Sequence, residues 1–280
     1  MNISLAPERI MPEIDQNEPG YAEHISRYFF AGKIAKDKVI LDIACGTGYG
    51  SLHLLNNGAK EVCGVDISSE TIDYAKNTYQ KPGINFCVGA AEQIPFEKNK
   101  FDMVVSLETI EHLENPRLFL KELKRVLKKD GVALLSTPNS AVYPPGNPFH
   151  KREFTIEEFK NILLEYFQNL KIFYQQNITS AQILSEETLN LDNKEINPAI
   201  FKLFKSEKKR AMFVLGLASN HQLPPTAEIC TLISERDMLS KQQELDSKQQ
   251  ELNNIYNSRG WKIISFLHKI RIRIPLIKRL

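Results

Sequence analysis

The sequence predicts an α/β fold, a doubly wound parallel sheet, on three observations. The run Val39-Ile-Leu-Asp-Ile43 is short, mostly apolar and rich in β-branched residues, the composition of a strand buried on both faces. It leads into glycines at alternate positions, Gly46, Gly48 and Gly50, and then into Leu52, Leu54 and Leu55 at helical spacing. The same strand-then-helix order returns downstream, which is the pattern of parallel strands joined by crossover helices.

At 280 residues, 42% hydrophobic and 25% charged, the chain can hold one such domain of ordinary size plus appendages. A net charge of +2 identifies no partner by itself. The four cysteines, Cys45, Cys63, Cys87 and Cys230, form no C-x-x-C pair, so neither zinc nor a disulfide framework is expected and the expected compartment is reducing and cytoplasmic. Glu8, Glu13 and Asp15 precede any apolar run, so no secretory leader is expected. No stretch reaches the ~18 apolar residues of a membrane-spanning helix.

Residues 1 to 20, Pro-rich and acidic, read as an irregular lead-in. Tyr21 to Ile34 reads as a helix with Ile25, Tyr28, Phe29 and Ile34 on roughly one side. In the first strand Asp42 interrupts an apolar run, and a carboxylate there is costly unless something pairs with it. A second buried strand ends at Asp66-Ile67, where a carboxylate can grip a ribose diol. Ser68-Ser69-Glu70 then supplies an N-cap for a helix over Thr71 to Tyr79. Ile84 to Val88 is a third strand, followed by Gly89-Ala-Ala-Glu-Gln-Ile-Pro-Phe96. Met103 to Leu107 is a fourth, with Glu108, Glu111 and His112 gathered after it at the start of a helix. Leu118 to Leu127 is amphipathic, with Leu120, Leu123, Val126 and Leu127 inward. Asp130-Gly131 reads as a turn and Val132 to Ser136 as the fifth strand, closed by Thr137-Pro-Asn139. Strand–helix–strand, repeated five times, gives the doubly wound sheet.

From Tyr143 two prolines and a glycine make a loop over the carboxyl edge of the sheet, bringing His150 and Glu153 to its mouth. Thr155 then caps a helix with Glu157 and Glu158. Lys171 to Tyr174 and Met212 to Ser219 are the sixth and seventh strands, separated by a polar, helix-prone insertion over 178–210. Pro224-Pro225 ends the domain at 1–225.

Asp42-x-Ala44-x-Gly46-x-Gly48 resembles motif I of the class I S-adenosylmethionine-dependent methyltransferases, although family members often carry Gly in place of Ala44. A dinucleotide site would instead read G-x-G-x-x-G, and a carboxylate ahead of the turn disfavours phosphate while suiting a cationic, amino-acid-like ligand. Asp66, the segment after Val88 and the segment Phe101 to Leu113 are similar to the later motifs, in order and at proper spacing. The resemblance implies a Rossmann-like sheet of seven strands with the seventh antiparallel, inserted between the fifth and sixth. It implies S-adenosylmethionine as cofactor, contacted by Arg27, Asp42, Ala44, Gly46, Gly48, Asp66, Ile67, Ala91, Glu92, Leu107 and His112. The helix from Tyr21 resembles one that covers the cofactor in a branch of the family, which adds Tyr21 and His24 to the candidates. Ala90 stands where an acid commonly meets the adenine amino group, so Glu92 or a main-chain contact takes that part. The loop with His150 resembles the one that meets the acceptor in relatives methylating sugars or other small polar substrates. His150, His112 and Glu111 are the candidate catalytic groups, His150 the best placed general base and Glu153 a competitor. The residues suggest no metal ligand set.

Ile229 to Tyr256 reads as one long helix with a repeat, Lys241-Gln-Gln-Glu-Leu-Asp-Ser247 and Lys248-Gln-Gln-Glu-Leu-Asn-Asn254. Leu245 and Leu252 at heptad spacing suggest a short coiled coil, and through it a homo-oligomer. The tail, 258–280, interleaves Arg259, Lys262, Lys269, Arg271, Arg273, Lys278 and Arg279 with Trp261, Phe266 and several isoleucines, and has no acid. As a helix it is an interfacial anchor, although Lys269 to Ile274 also alternates as a strand would. Ser258-Arg-Gly-Trp-Lys-Ile is similar to a tail found on bacterial enzymes of surface-polysaccharide assembly. Nucleic acid is not expected as a partner, since no recognition fold accompanies the basic residues. The expected activity is methyl transfer to a sugar hydroxyl in a glycan pathway, at or near the inner face of a membrane. The alternatives are a small-molecule or quinone-type O-methyltransferase and, from another class, a non-catalytic scaffold that keeps the cofactor fold.

Overall fold

A computed structural model describes residues 19–177, 185–189 and 207–230, with 247, 248, 250, 251 and 254 beyond them. The chain divides into two compact units, Met1–Pro12 with Glu23–Cys230 and Glu13–Ala22 with Thr231–Leu280. In the second unit, residues 247, 248, 250, 251 and 254 are helical and exposed. The rest of the coil and the whole tail lie outside the described residues, whereas Ile229 and Cys230, read as the start of that helix, are described and are not helical.

The first unit is built on one seven-stranded sheet in the order β3-β2-β1-β4-β5-β7-β6. Its strands are β1 (Val39–Ile43), β2 (Glu61–Asp66), β3 (Ile84–Val88), β4 (Phe101–Ser106), β5 (Leu127–Pro138), β6 (Asn169–Gln175) and β7 (Phe213–Ser219). The first five pair in parallel, while β7 runs antiparallel to both β5 and β6 and lies between them, as expected. The chain crosses from β3 at one edge to β4 beside β1, so the strand order reverses between β1 and β4. Ligands bind at such a switch point, outside the carboxyl ends of the strands.

The helices are α1 (Pro19–Gly32), α2 (Tyr49–Asn56), α3 (Ser69–Tyr79), α4 (Pro116–Val126), α5 (Ile156–Leu164) and the short α6 (Glu186–Leu189). Their starts follow from local chemistry. The Ser68 hydroxyl accepts the Thr71 N–H at 3.2 Å, and Thr155 with Glu158 closes the expected reciprocal capping box. Asn115 caps α4 by accepting the Leu118 N–H, and Pro116 occupies the first turn, so this helix begins two residues ahead of the expected Leu118. Phe119, Leu120, Leu123 and Val126 of α4 join Leu41, Ile43, Val104 and Leu135 of the sheet in the buried core.

Three expectations are corrected. No helix joins β3 to β4, so strand–helix–strand is not repeated at that step; Ile94 is buried there, and the Arg125 guanidinium donates to the Ile94 and Phe96 carbonyls. Asp130-Gly131 is not a turn between elements but lies inside β5, where pairing passes from Phe101 with Leu127 to Met103 with Val132. This irregularity needs glycine, because a Cβ on Gly131 would stand 2.9 Å from Leu127 and 3.1 Å from the Lys128 carbonyl. His112 does not begin a helix; it ends a 3₁₀ turn, Ile110–His112, ahead of α4. No helix among the described residues is long and apolar enough to cross a membrane.

Two glycines of the turn, Gly46 and Gly50, differ in what they demand. A Cβ on Gly50 would fall 1.9 Å from the Tyr28 ring, whereas one on Gly46 would meet nothing within 4 Å and would suffer only the positive φ of 55°. Gly50→Ala is therefore expected to lower stability by about 1–3 kcal/mol through overpacking. Gly46→Ala should cost no more than about 2 kcal/mol. Urea unfolding of both variants checks the order.

Candidate functional site

The glycine turn follows β1, and its shape depends on Asp42. This carboxylate is fully buried yet satisfied: Tyr28 of α1 donates its hydroxyl to it at 3.1 Å and Ser51 of α2 donates at 2.6 Å. Burial pushes its pKa up to about 6, against the two hydroxyl hydrogen bonds, with the nearby Asp66 charge adding to the rise. The turn itself takes left-handed backbone at Ala44 (φ 61°), Gly46 (φ 55°) and Gly48 (φ 91°). Ala44 thus occupies a conformation that favours glycine, the residue common in the resembling family. A Cβ on Gly48 would press on Phe86 and Ala75 at 2.8 and 2.9 Å, so that glycine serves packing.

Asp66, at the carboxyl end of β2, is buried and held by two backbone donors, the Gly46 N–H at 3.1 Å and the Ser68 N–H at 2.9 Å. Ile67 beside it is 73% exposed, an unusual setting for a large apolar side chain directly after a buried strand. Ala91 is half-buried, and Glu92 is engaged by the protein, accepting the Asn115 N–H at 2.6 Å ahead of α4.

At the carboxyl end of β4, Leu107 is buried and Glu108 has a left-handed backbone (φ 51°). The Glu108 carboxylate accepts the Ser136 hydroxyl at 2.5 Å and lies 4.0 Å from the buried Arg27 guanidinium, which donates to Gln175 and stacks 4.4 Å over the Phe213 ring. His24 meets Tyr49 through its Nδ1, and burial beside Arg27 holds its pKa well below the usual histidine range. Glu111 is buried, and burial, then the Glu108 charge, raises its pKa well above the carboxylate range. One Glu111 oxygen accepts the Thr137 hydroxyl at 3.1 Å. The loop after β5 brings His150 to within 5.0 Å of His112, ring to ring, and 3.5 Å from Glu153. Glu111, His112, His150 and Glu153, read as rivals for one role, are therefore neighbours. Beside them opens a cleft of about 440 Å³, lined by Glu23, Tyr143, Asn147, Met212 and Phe213 among others.

Residues 41–135 match the family model described as a methyltransferase domain. A "Probable S-adenosylmethionine-dependent methyltransferase" of Mycobacterium tuberculosis is 29% identical over 168 residues, covering 58% of this chain and 60% of that one. Its counterpart in Mycolicibacterium smegmatis is 31% identical over 166 residues, 58% of this chain and 63% of that one. The chain thus spans about three fifths of the length of these curated relatives. A "Ubiquinone biosynthesis O-methyltransferase" of Pelagibacter ubique is 34% identical over 112 residues, 39% of this chain and 46% of that one. Among solved structures, a SAM-dependent methyltransferase from Thermotoga maritima superposes with a TM-score of 0.52 at 20% identity, over 72% of this chain and 92% of that one. The YcgJ protein of Bacillus subtilis gives 0.51 at 19% identity, over 71% and 100%. The fold is that of the S-adenosylmethionine-dependent methyltransferases.

Within this methyltransferase fold, Tyr28 and Ser51 hold the Asp42 carboxylate, a part that the sequence does not announce, since Tyr28 reads as packing and Ser51 as part of the turn. The signal for them was Asp42 itself, a strand carboxylate in need of donors. Because Asp42 has a folded-state pKa of about 6 and an unfolded one near ~3.9, folding takes up a proton between those values. Its contribution is then fully favourable below about pH 4 and is lost as pH rises through 6. Thermal unfolding of wild type and Asp42→Asn should show wild type losing about 2–3 kcal/mol relative to the variant between pH 4 and pH 7.

Proposed function

We propose that the protein is an S-adenosylmethionine-dependent methyltransferase acting on an acceptor hydroxyl. The observation that carries this reading is Asp66, a buried carboxylate at the switch point, fixed by the Gly46 and Ser68 N–H groups beside an open glycine turn. The residues fit the cofactor. Asp66 stands at the carboxyl end of β2, where a carboxylate can grip a ribose diol, Ile67 offers an exposed apolar face for the base, and a Cβ on Gly46 would meet nothing within 4 Å. Asp42 acts at one remove, since its carboxylate is bonded to Tyr28 and Ser51 and shapes the turn from behind. Arg27 and Glu108 set the charge at the carboxyl end of β4, where an amino-acid moiety would lie. When bound, the cofactor supplies an electrophilic methyl group. The chain positions the acceptor in the adjoining cleft and excludes water. His150, His112 and Glu111 stand ready to accept its hydroxyl proton.

For the acceptor we favour a sugar hydroxyl in a glycan or polysaccharide pathway, a reading supported by the basic, aromatic tail and its Ser258-Arg-Gly-Trp-Lys-Ile sequence. Similarity to the ubiquinone O-methyltransferases favours a second reading, a small quinone-type phenol. Mass spectrometry of candidate glycans and phenols after incubation with labelled cofactor separates the two.

Asp66→Ala removes hydrogen bonds of about 1.5–3 kcal/mol from a charged acceptor, so S-adenosylmethionine affinity should fall at least ~10-fold. Calorimetry on the folded variant checks this, and unchanged affinity would remove Asp66 from the site. The tail reading predicts that the full chain pellets with anionic vesicles at low salt and releases at high salt, each cation near the leaflet contributing ~1 kcal/mol. A chain ending at Asn257 should stay in the supernatant, and equal behaviour of both would remove the membrane contact from the reading.

A further inference from the structure

We propose that the cleft formed by α1, the loop after β5 and the start of β7 binds a ring that carries a protonated amine. Glu23 holds the ammonium, and Tyr143 and Phe213 hold the ring. This preference stands on the geometry of the cleft; only the ligand's part as methyl acceptor rests on the methyltransferase reading.

The walls are tied together by the chain itself. Asn139, fully buried directly after β5, donates its N–H to the Met212 carbonyl at 2.9 Å and its side-chain amide to the Ala211 carbonyl at 2.8 Å. Its own carbonyl accepts the Val142 and Tyr143 N–H groups at 2.9 and 2.8 Å. The loop wall and the β7 wall therefore share one anchor. Gln175 of β6 joins the third wall: its carbonyl accepts the Met212 N–H at 3.0 Å, and its side-chain amide donates to the Glu23 carbonyl at 2.9 Å. A cleft fixed in this way spends little on ordering when a ligand enters.

The lining is apolar with a single charge. Tyr143, Pro144, Pro145, Met212 and Phe213 supply the apolar faces, and the Tyr143 and Phe213 rings lie 5.8 Å apart at 60°. Such rings favour both the apolar side of another ring and a cation. Glu23, half-buried, is the one charged residue among those lining the cleft. Asn177 donates to its Oε1, and Oε2 has no partner among the described residues. The neighbouring cations are drawn elsewhere. Arg27, one helical turn on, donates to Gln175, stacks on Phe213 and faces Glu108 at 4.0 Å. Lys151 pairs with Glu114 at 3.0 Å and Arg152 with Glu158 at 3.7 Å. His150 lies 5.8 Å from Tyr143, ring to ring, and does not line the cleft. A phosphate or carboxylate placed there would meet only a like charge, whereas an ammonium meets an acceptor oxygen with room for it. Amino sugars and phenolic amines share this chemistry, and both carry a hydroxyl.

The test uses the full-length chain in saturation-transfer NMR titrations at neutral pH, with paired probes. Methyl glucosaminide against methyl glucoside reports the sugar source, and tyramine against para-ethylphenol reports the phenol source. In at least one pair wild type should bind the amine ~10-fold more tightly than its amine-free partner, the worth of one hydrogen bond to a charged group, and that pair identifies the source. Added salt should erode this preference, a readout that needs no variant. Glu23→Gln keeps the oxygen that accepts from Asn177 and removes the charge, so with an unchanged thermal melt it should abolish the preference. Tyr143→Ala should weaken both members of the pair together. Equal binding within both pairs, binding of no probe, a preference indifferent to salt or surviving Glu23→Gln, or unaltered binding in Tyr143→Ala overturns the proposal. Calorimetry with S-adenosylmethionine runs in parallel. Cofactor binding without an amine preference overturns this proposal alone, and an amine preference without cofactor binding overturns the methyltransferase reading alone.

Discussion

Asp42 must keep a carboxylate in the middle of a parallel sheet, and its partners link the elements around it. Tyr28 comes from α1, ahead of the sheet, and Ser51 from α2, behind the glycine turn. Both donate to the same carboxyl group, so the helix before β1 and the helix after it are held to its end. Gly50 is part of the same device, because only a residue without Cβ lets the Tyr28 ring lie against α2. The turn between β1 and α2 is thereby fixed in the left-handed conformations of Ala44, Gly46 and Gly48, and the Gly46 N–H is aimed at Asp66. A buried charge that burial alone would neutralise becomes the anchor of the binding turn.

The other half of the site depends on topology. Parallel strands deliver their carboxyl ends to one edge, and the reversal of strand order between β1 and β4 opens the crevice there. Glu108 and Glu111 follow β4, Ser136 and Thr137 end β5, and the loop after β5 carries His150. Hydrogen bonds from Ser136 and Thr137 to the two glutamates join neighbouring strands at the mouth. The arrangement concentrates carboxylates and imidazoles where desolvation raises their mutual influence, as the displaced pKa of Glu111 records.

Much of this was legible in the chain. The strand at Val39, the acid ending β2, the Ser68 and Thr155 caps and the antiparallel seventh strand all appear where the residues or the family resemblance put them. These are local signals, carried by apolar runs and by side chains that bond within three residues. The failures are of another kind. Asp130-Gly131 has the composition of a turn, but pairing of Leu127 and Val132 with β4 on either side of it absorbs it into β5 as an irregularity. The segment between β3 and β4 has no helix, because Arg125 of α4 and the burial of Ile94 hold it as a loop.

The sequence by itself determined the strand and helix grammar, the glycine turn with its flanking acids, and the set of polar residues near the carboxyl edge. It could do so because those features depend on period, propensity and spacing along the chain. Only the tertiary structure decided what those polar residues do to one another. Tyr28 and Asp42, or Glu111 and His150, are far apart in sequence and meet only when the sheet is wound. Burial then decides which carboxylate is satisfied, as Asp42 is, and which keeps an unmatched oxygen, as Glu111 does. Desolvation and hydrogen-bond completion are properties of assembled neighbours, and no single segment encodes them.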